Sequence, residues 1–158
     1  MKKIAIFTLV LVFALALFAC GNNAKPTKLG TSDFSIVLPE GYASAEDDFD
    51  EDQVAYFCKD DNSIDFDVYQ WEKSDEFTLE SEANAYATEY GTTAEAVTVN
   101  GINGYKYVSA EDFEGKSYTV VNYMFEDDKY IVELCFWTVG AEEEYKAVDE
   151  ILNTLKKN

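Results

Sequence analysis

Four side chains able to bind a ligand alternate along one segment of the sequence. Asp65, Asp67, Tyr69 and Trp71 occupy every second position of SIDFDVYQWE, which predicts that they share one face of a strand. If no helix covers that face, two carboxylates beside two aromatic rings would suit a basic peptide, or a sugar stacked on the rings. The alternative is that Tyr69 and Trp71 pack beneath a helix while the aspartates lie near a solvated end. Trp137, on a later segment, meets the same alternatives, and we expect it in the core.

A second group of carboxylates lies in the acidic segment 46–52. Asp48, Asp50 and Asp52 alternate as calcium ligands often do. However, no glycine stands at the sixth position, and Lys59 stands at the twelfth, where an EF-hand carries Glu. The pattern favours a solvated acidic loop that condenses cations loosely, so these three residues are weak cation-binding candidates. We expect no resident metal ion.

Two residue types that common catalytic sites need are missing, since the chain has no histidine and no arginine. Ser-His and Cys-His pairs, imidazole metal sites and bidentate clamps on phosphate are therefore excluded. An enzyme would have to use carboxylates, Lys, Tyr or Cys. With 31 acidic residues, chance carboxylate pairs are certain, so such a pair is weak evidence for a glycoside hydrolase. We expect no catalytic activity and no cofactor.

Two cysteines, Cys58 and Cys135, remain after Cys20. Outside the cytoplasm an even remainder permits a disulfide, which would contribute about 4 kcal/mol to stability. The alternative is two reduced thiols that pack in strands as small hydrophobic side chains. A nucleophilic role is disfavoured because no imidazole can activate either thiol.

The N-terminal segment indicates where the protein works. Two lysines precede the unbroken apolar run Ile4–Phe18, which is followed by Ala19 and Cys20. The run is shorter than the roughly 20 residues of a spanning helix, and its layout is that of a secretory signal. The box Leu17–Gly21 (LFACG) resembles that of a bacterial lipoprotein signal, although Phe18 is bulkier than the residue that such signals usually carry.

The resemblance implies that residues 1–19 are removed and that Cys20 receives a diacylglycerol thioether. At about 0.8 kcal/mol per buried methylene, two acyl chains anchor stably where one is marginal. The expected location is the cell membrane, lipid-anchored on its extracytoplasmic face. An uncleaved N-terminal anchor is the alternative, and it too would place the chain outside the cytoplasm. Residues 20–30 then form the lipidated N-terminus and a flexible tether, and residues 31–158 form a single domain.

The charge of the mature chain restricts its partners. Without the signal, 10 lysines remain against 31 acidic residues, a net charge of −21. Such a surface repels phosphate backbones and anionic headgroups, so nucleic acid and direct binding to a lipid surface are disfavoured. We expect contact with the membrane only through the N-terminal lipid, and a basic protein or another envelope component as partner.

Hydrophobic spacing predicts the elements that position these residues. The predicted strands are Phe34–Leu38, Val54–Lys59, Ser63–Glu72, Ala96–Asn100, Gly104–Ser109, Lys116–Phe125 and Lys129–Val139. The first helix is predicted at Thr78–Tyr90, with Leu79, Ala83, Tyr86 and Tyr90 as its buried stripe. The second is predicted at Ala141–Lys157, with Tyr145, Val148, Leu152 and Leu155. This order indicates an α+β fold, a mostly antiparallel sheet packed with a mid-chain helix and a C-terminal helix.

The order of elements resembles the PsbP-like fold, known from an extrinsic photosystem protein and a Ran-binding nuclear import factor. Bacterial secreted lipoproteins share that fold. The resemblance rests on Phe34–Tyr42, with its Pro-x-Gly-aromatic ending, on the hairpin Val99–Tyr105 (VNGINGY), and on the helices and long strands. It covers about Leu29 to Lys157. It implies a binding or assembly-accessory scaffold with no catalytic residues to transfer.

We therefore expect a membrane-anchored lipoprotein with one PsbP-like domain that acts as a non-catalytic binding or accessory module. One alternative is a carboxylate-based glycoside hydrolase acting on envelope or environmental polysaccharide. Another is a structural accessory subunit of a membrane complex, with no ligand of its own. A deep cleft lined by two carboxylates and exposed aromatic residues would favour the hydrolase. An open, flat acidic face would favour the binding module.

Overall fold

The structure is a computed structural model, and it describes residues 25–45, 49, 51–59 and 64–158. The signal segment with Cys20, and the cation-binding candidates Asp48 and Asp50, lie outside the described residues, so the hypotheses on them stay predictions. Within the described part, no helix is long and apolar enough to cross a membrane.

Two antiparallel sheets and two helices make up the fold of the described residues. The strands are β1 (Thr27–Lys28), β2 (Phe34–Ile36), β3 (Tyr42–Ser44), β4 (Gln53–Lys59), β5 (Asp65–Glu72), β6 (Glu95–Val99), β7 (Ile102–Phe113), β8 (Lys116–Glu126), β9 (Tyr130–Thr138) and β10 (Lys156–Lys157). The helices are α1 (Leu79–Glu89) and α2 (Glu142–Leu152). The large sheet has the order β3-β4-β5-β9-β8-β7-β6 and the small one β1-β2-β10. The predicted α+β class, with its mostly antiparallel sheet and two helices, is confirmed.

One face of the large sheet holds the main core. Phe66 lies there between Phe57 and Phe136, with its ring centroid 4.9 Å from each of theirs. Helix α2 contributes Val148 and Ile151 to the same cluster, and the small sheet contributes further apolar residues. Because α2 and the small sheet cover this face, its apolar side chains are shielded from water.

Helix α1 covers only part of the opposite face. Its buried side chains, Leu79, Ala83 and Ala87, pack against a cluster that includes Met124 and Ile131 of the sheet. Thr78 caps the first turn, since its side chain accepts a hydrogen bond from the backbone of Ser81. Small residues at the contact let the helix sit close to the sheet, and the area beside it stays open.

Helix α2 ends earlier than the sequence predicts. The predicted helix ran to Lys157, but α2 stops at Leu152, and Lys156 and Lys157 pair with β2 as β10. The Asn100 side-chain amide donates to the carbonyls of Leu152 and Leu155, both at 3.1 Å, and so satisfies groups that the helix end leaves free. Leu155 still reaches the core, but from the segment after the helix.

Other elements also differ from their predicted form. Tyr145 and Tyr90 are exposed instead of lying in buried stripes, whereas Ile151 and Ala87 are buried. Strand β7 continues to Phe113, beyond its predicted end. The strands β1 and β3 were not predicted, because two or three residues are too few to show a period.

Candidate functional site

Polar and aromatic side chains lie in register on the open part of the second sheet face. One residue from each of four neighbouring strands takes part: Asp67 of β5, Cys135 of β9, Asn122 of β8 and Tyr107 of β7. Each of these residues is paired with the next one across the sheet. Residues opposite each other in antiparallel strands point to the same face with Cβ atoms about 5 Å apart. The four side chains therefore form one continuous row across the sheet.

Two further rows flank this one on the same face. On one side, Tyr69 is opposite Glu133, in the part of the sheet that approaches helix α1. On the other side, Asp65 is opposite Trp137, which is opposite Val120. Carboxylates and aromatic rings from β5 and β9 are thus neighbours because the two strands pair in this register.

A cleft of about 420 Å³ opens over these rows beside helix α1. We call it the acidic cleft. Its carboxylates are Glu51, Asp52, Asp67, Glu111 and Glu133. Its aromatic residues are Tyr69, Trp71, Tyr86, Tyr90, Tyr107 and Trp137. Among the residues that the structure describes, no lysine lines it. The cleft therefore presents negative charge and aromatic rings with no positive side chain between them.

Glu133 lies at the floor of the acidic cleft. Only 5% of this residue is exposed, and its Oε1 accepts a hydrogen bond of 2.5 Å from the Tyr107 hydroxyl. Burial raises the pKa of Glu133 to about 7, although hydrogen bonds from Tyr107 and Cys135 partly oppose this rise. Burial, together with the Glu133 charge, raises the pKa of the Tyr107 hydroxyl and of the Cys135 thiol as well. Burial therefore favours the neutral, protonated form of all three groups.

Aromatic pairs form the wall of the cleft on the α1 side. Tyr90, just after α1, stacks on Tyr107 with ring centroids 6.1 Å apart and an interplanar angle of 18°. Burial raises the pKa of Tyr90 to about 12, and the charge and hydrogen bond of Glu111 act in the same direction. Trp71 packs against Tyr86 of α1 at 5.9 Å, and its buried Nε1 has no hydrogen-bond partner among the described residues. Trp71 therefore belongs to the wall through packing.

A second cavity, of about 450 Å³, adjoins the acidic cleft. Asp67 and Trp137 line both cavities and form the wall between them. Trp137 Nε1 donates to Asp67 Oδ2, and Gln53 Nε2 donates to Asp67 Oδ1, each at 2.6 Å. Tyr56 and Asp65 line the second cavity, where the Tyr56 hydroxyl donates to Asp65 Oδ2 at 2.8 Å. Both oxygens of Asp67 are thus held in place by neutral donors.

The structure brings the four residues of the predicted binding surface to one face. Asp67, Tyr69 and Trp71 line the acidic cleft, and Asp65 lines the second cavity. The contact between Trp71 and Tyr86 agrees with the alternative of packing against a helix. Asp67, however, is only 8% exposed and does not lie at a solvated end. Whether this surface binds a ligand stays a prediction.

Trp137 does not join the core as the sequence predicts. It is half-buried, and its ring meets those of Tyr118 and Phe113 edge-on, with centroid distances of 5.6 and 6.5 Å. The reason is that β9 carries mostly apolar residues on both of its faces. Alternation along this strand therefore does not show which face lies toward the core and which toward the cleft.

Asp52, the described member of the cation-binding candidates, lines the acidic cleft. Within the described residues, no three Cys, Asp or Glu side chains are grouped to hold a metal ion.

The structure does not form the disulfide considered for Cys58 and Cys135. No disulfide bond joins the two cysteines. Strand β5 lies between β4, which carries Cys58, and β9, which carries Cys135. Two inter-strand spacings amount to about 10 Å, whereas a disulfide needs Cα atoms within about 7 Å. The alternative, two separate thiols packed in strands, describes the molecule.

Sequence reasoning missed several residues of the site. These are Tyr86 of α1, Tyr90 just after α1, Tyr107 and Glu111 of β7, and Glu133 of β9. The segments that carry them are neighbours in space but distant in sequence. One signal was present, since Glu133 is the single acidic residue within the apolar strand β9. A lone carboxylate in such a strand is either paired or functional.

Three solved structures share this fold. A crystal structure from Bacteroides thetaiotaomicron VPI-5482 matches with a TM-score of 0.61 and 17% identity. The match covers 83% of this chain and 49% of the Bacteroides chain, so this chain spans about half the length of that protein. Cyanobacterial PsbP (CyanoP) from Synechocystis sp. PCC 6803 has a TM-score of 0.59 and 13% identity over 89% of this chain and 98% of its own. LpqN of Mycobacterium tuberculosis, a protein involved in cell envelope biogenesis, has a TM-score of 0.57 and 10% identity, with coverage of 87% and 86%.

CyanoP and LpqN have the PsbP-like α+β fold that the order of elements predicts. At such identities the likeness concerns the fold alone. No protein-family model matches the sequence. A comparison with curated proteins finds no significant match either.

Proposed function

We propose that this PsbP-like domain is a non-catalytic binding or accessory module of the bacterial cell envelope, and that it engages its partner through the acidic cleft. The observation that carries the proposal is a cleft with five carboxylates, six aromatic residues and no lysine among the described residues. Aromatic rings supply contact area, and the carboxylates select positive groups and speed their approach. The partner is then a basic protein or another basic envelope component. The fold shared with LpqN, involved in cell envelope biogenesis, supports an envelope role.

The proposal includes a lipid anchor at Cys20, which would hold the domain on the extracytoplasmic face of the cell membrane. We expect metabolic labelling with palmitate to mark the wild-type protein, because the thiol of Cys20 carries the lipid. The Cys20→Ser variant should lose the label and keep its signal, and so migrate as a larger species. A wild type that stays unlabelled, or a Cys20→Ser variant trimmed to the normal size, would contradict the anchor.

Binding of the partner should depend on the residues of the acidic cleft and not on the general acidity of the surface. We expect the double variant Tyr90→Leu/Glu111→Gln to lose a basic partner that cross-links to the wild type in intact cells. Both residues line the cleft, and Tyr90 is 45% exposed, so these changes leave the buried core intact. Purified wild-type protein should recapture the same partner less well as the salt concentration rises, since salt screens exposed charges.

The matched control is Tyr145→Leu/Glu143→Gln. It removes one tyrosine and one carboxylate from exposed positions of helix α2, which packs on the opposite face of the sheet. The control should keep the partner. If both double variants cross-link the same partner as the wild type, the cleft is not the docking site, and a structural accessory subunit is the better account.

A carboxylate-based glycoside hydrolase remains the second candidate, because the face is concave instead of flat and Glu133 has a pKa of about 7. The geometry supports the binding module, since Glu133 is almost fully buried against Tyr107 and both oxygens of Asp67 accept hydrogen bonds. Both carboxylates are thus already engaged in hydrogen bonds within the fold. Release of reducing ends from cell-wall glycan by the wild type, abolished in Glu133→Gln, would establish the hydrolase instead.

A further inference from the structure

We propose that the acidic cleft receives an aliphatic ammonium group, the head of a lysine side chain, between its aromatic wall and its carboxylates. This inference rests on the proposed function, because it names the chemical group by which a basic partner would be recognised. Three features of the cleft carry it. Its lining has five carboxylates and no lysine among the described residues, aromatic ring faces border the same space, and hydrogen bonds already engage one or both oxygens of Glu133 and Asp67.

No lysine of the described chain lines the cleft. The ion pairs of the described chain include Lys73–Glu126, Lys129–Glu72, Lys146–Glu142 and Lys157–Asp128. None of these pairs involves a residue that lines the cleft. A cation from outside the chain would therefore meet the charge of Glu111 and Glu133 without displacing an internal partner.

Aromatic rings border the same space. Tyr90 and Tyr107 form a stacked pair, and Trp71 with Tyr86 forms a tilted pair along the wall. The face of such a ring is negative, and it attracts a cation placed within about 6 Å of its centroid. A neutral sugar could also stack on these rings, but it would gain nothing from the adjacent carboxylates. The combination therefore favours a cation over a sugar.

The engaged carboxylates favour an ammonium group over a guanidinium group. A guanidinium binds best in bidentate form, with both oxygens of one carboxylate facing it. Glu133 already accepts from Tyr107, and both oxygens of Asp67 accept from Trp137 and Gln53. An ammonium is a compact charge that needs no such fork. The volume of about 420 Å³ lies within the range of small-ligand sites and accommodates one such side chain.

Calorimetric titration of the purified protein with Nα-acetyl-lysine methylamide tests the inference. The norleucine analogue is the neutral control, the arginine analogue presents a guanidinium, and N-acetylglucosamine presents a sugar. We expect the lysine probe to bind at least about tenfold more tightly than the norleucine probe, because a desolvated cation–π contact alone contributes that much. Tighter binding of the arginine probe or the sugar, or equal binding of the lysine and norleucine probes, would overturn the proposal.

The double variants used for cross-linking locate the binding. Tyr90→Leu/Glu111→Gln should weaken the lysine probe about tenfold, because it removes one ring and one charge from the cleft wall. Tyr145→Leu/Glu143→Gln makes the same chemical change on the opposite side of the sheet and should leave the affinity unchanged. Equal weakening by both variants would overturn the proposal, since it would indicate a general charge effect.

The inference and the proposed function can fail separately. If the lysine probe does not bind while Tyr90→Leu/Glu111→Gln still abolishes cross-linking, the ammonium site is wrong and the partner uses the cleft in another way. If the lysine probe binds in the cleft but Tyr90→Leu/Glu111→Gln leaves cross-linking unchanged, the ammonium site stands and the proposed docking role is wrong.

Discussion

Replacing Glu133 with glutamine should raise the free energy of unfolding at pH 8 by about 3 kcal/mol, since a tenfold change in a proton-binding constant corresponds to about 1.4 kcal/mol. Burial raises the pKa of this carboxyl from its ordinary 4.5 to about 7. Glutamine is neutral at every pH, and its side-chain oxygen can still accept the hydrogen bond from Tyr107. The variant therefore removes a buried charge and keeps its main contact.

The sign follows from proton binding. Between pH 4.5 and about 7 the folded state holds a proton on Glu133 that the unfolded state has released. Stability therefore falls as pH rises through this window, and above it the full cost of the buried charge is present. Below pH 4.5 both states are protonated, so Glu133 contributes nothing there. Glu133→Gln should flatten this part of the stability curve.

Urea denaturation of the wild type and Glu133→Gln at several pH values between 4 and 8 measures the effect. Glu143→Gln on helix α2 is the control, because it removes the same charge from an exposed position. If Glu133→Gln loses stability with rising pH as steeply as Glu143→Gln does, the Glu133 carboxyl is not the cause of that pH dependence.

Replacing Phe66 with alanine should lower the free energy of unfolding by about 3–5 kcal/mol. Phe66 is fully buried between Phe57 and Phe136. The structure around a deleted core side chain relaxes only partially, so a cavity remains. A typical domain is stable by only about 5–15 kcal/mol, so this change removes a large share. Thermal and urea unfolding of the purified variant give the value.

Phe113→Ala is the matched comparison on the cleft side. Its ring is 59% exposed at the end of β7, and its loss should change stability by less than about 0.5 kcal/mol. If the two phenylalanine variants lose similar stability, the division between a face that holds the fold together and a face left for binding would be wrong.

The sequence predicted the face of β5 correctly, because alternation is a local property of one strand. It could not predict which strands flank β5, since that depends on pairings between distant segments. Tyr107 and Glu133 meet at hydrogen-bond distance only because β7, β8 and β9 lie side by side in one register. For the same reason Trp137 was expected in the core, although its indole donates to Asp67 in the wall of the cleft.

The end of helix α2 shows the same limit. Helical spacing in the sequence continues past Leu152, and Leu155 is indeed buried. Contacts from elsewhere decide the outcome, because Asn100 satisfies the last carbonyls and β2 offers an edge to Lys156 and Lys157. Local propensity is weak compared with such tertiary contacts.

Both tryptophans of the chain, Trp71 and Trp137, line the acidic cleft, so their two indole N–H signals in a proton–nitrogen NMR spectrum report on it directly. Addition of Nα-acetyl-lysine methylamide should move at least the Trp137 signal, and this movement should disappear in Tyr90→Leu/Glu111→Gln. If both indole signals stay fixed while amide signals of helix α2 move, the cleft is not where this protein meets positive charge.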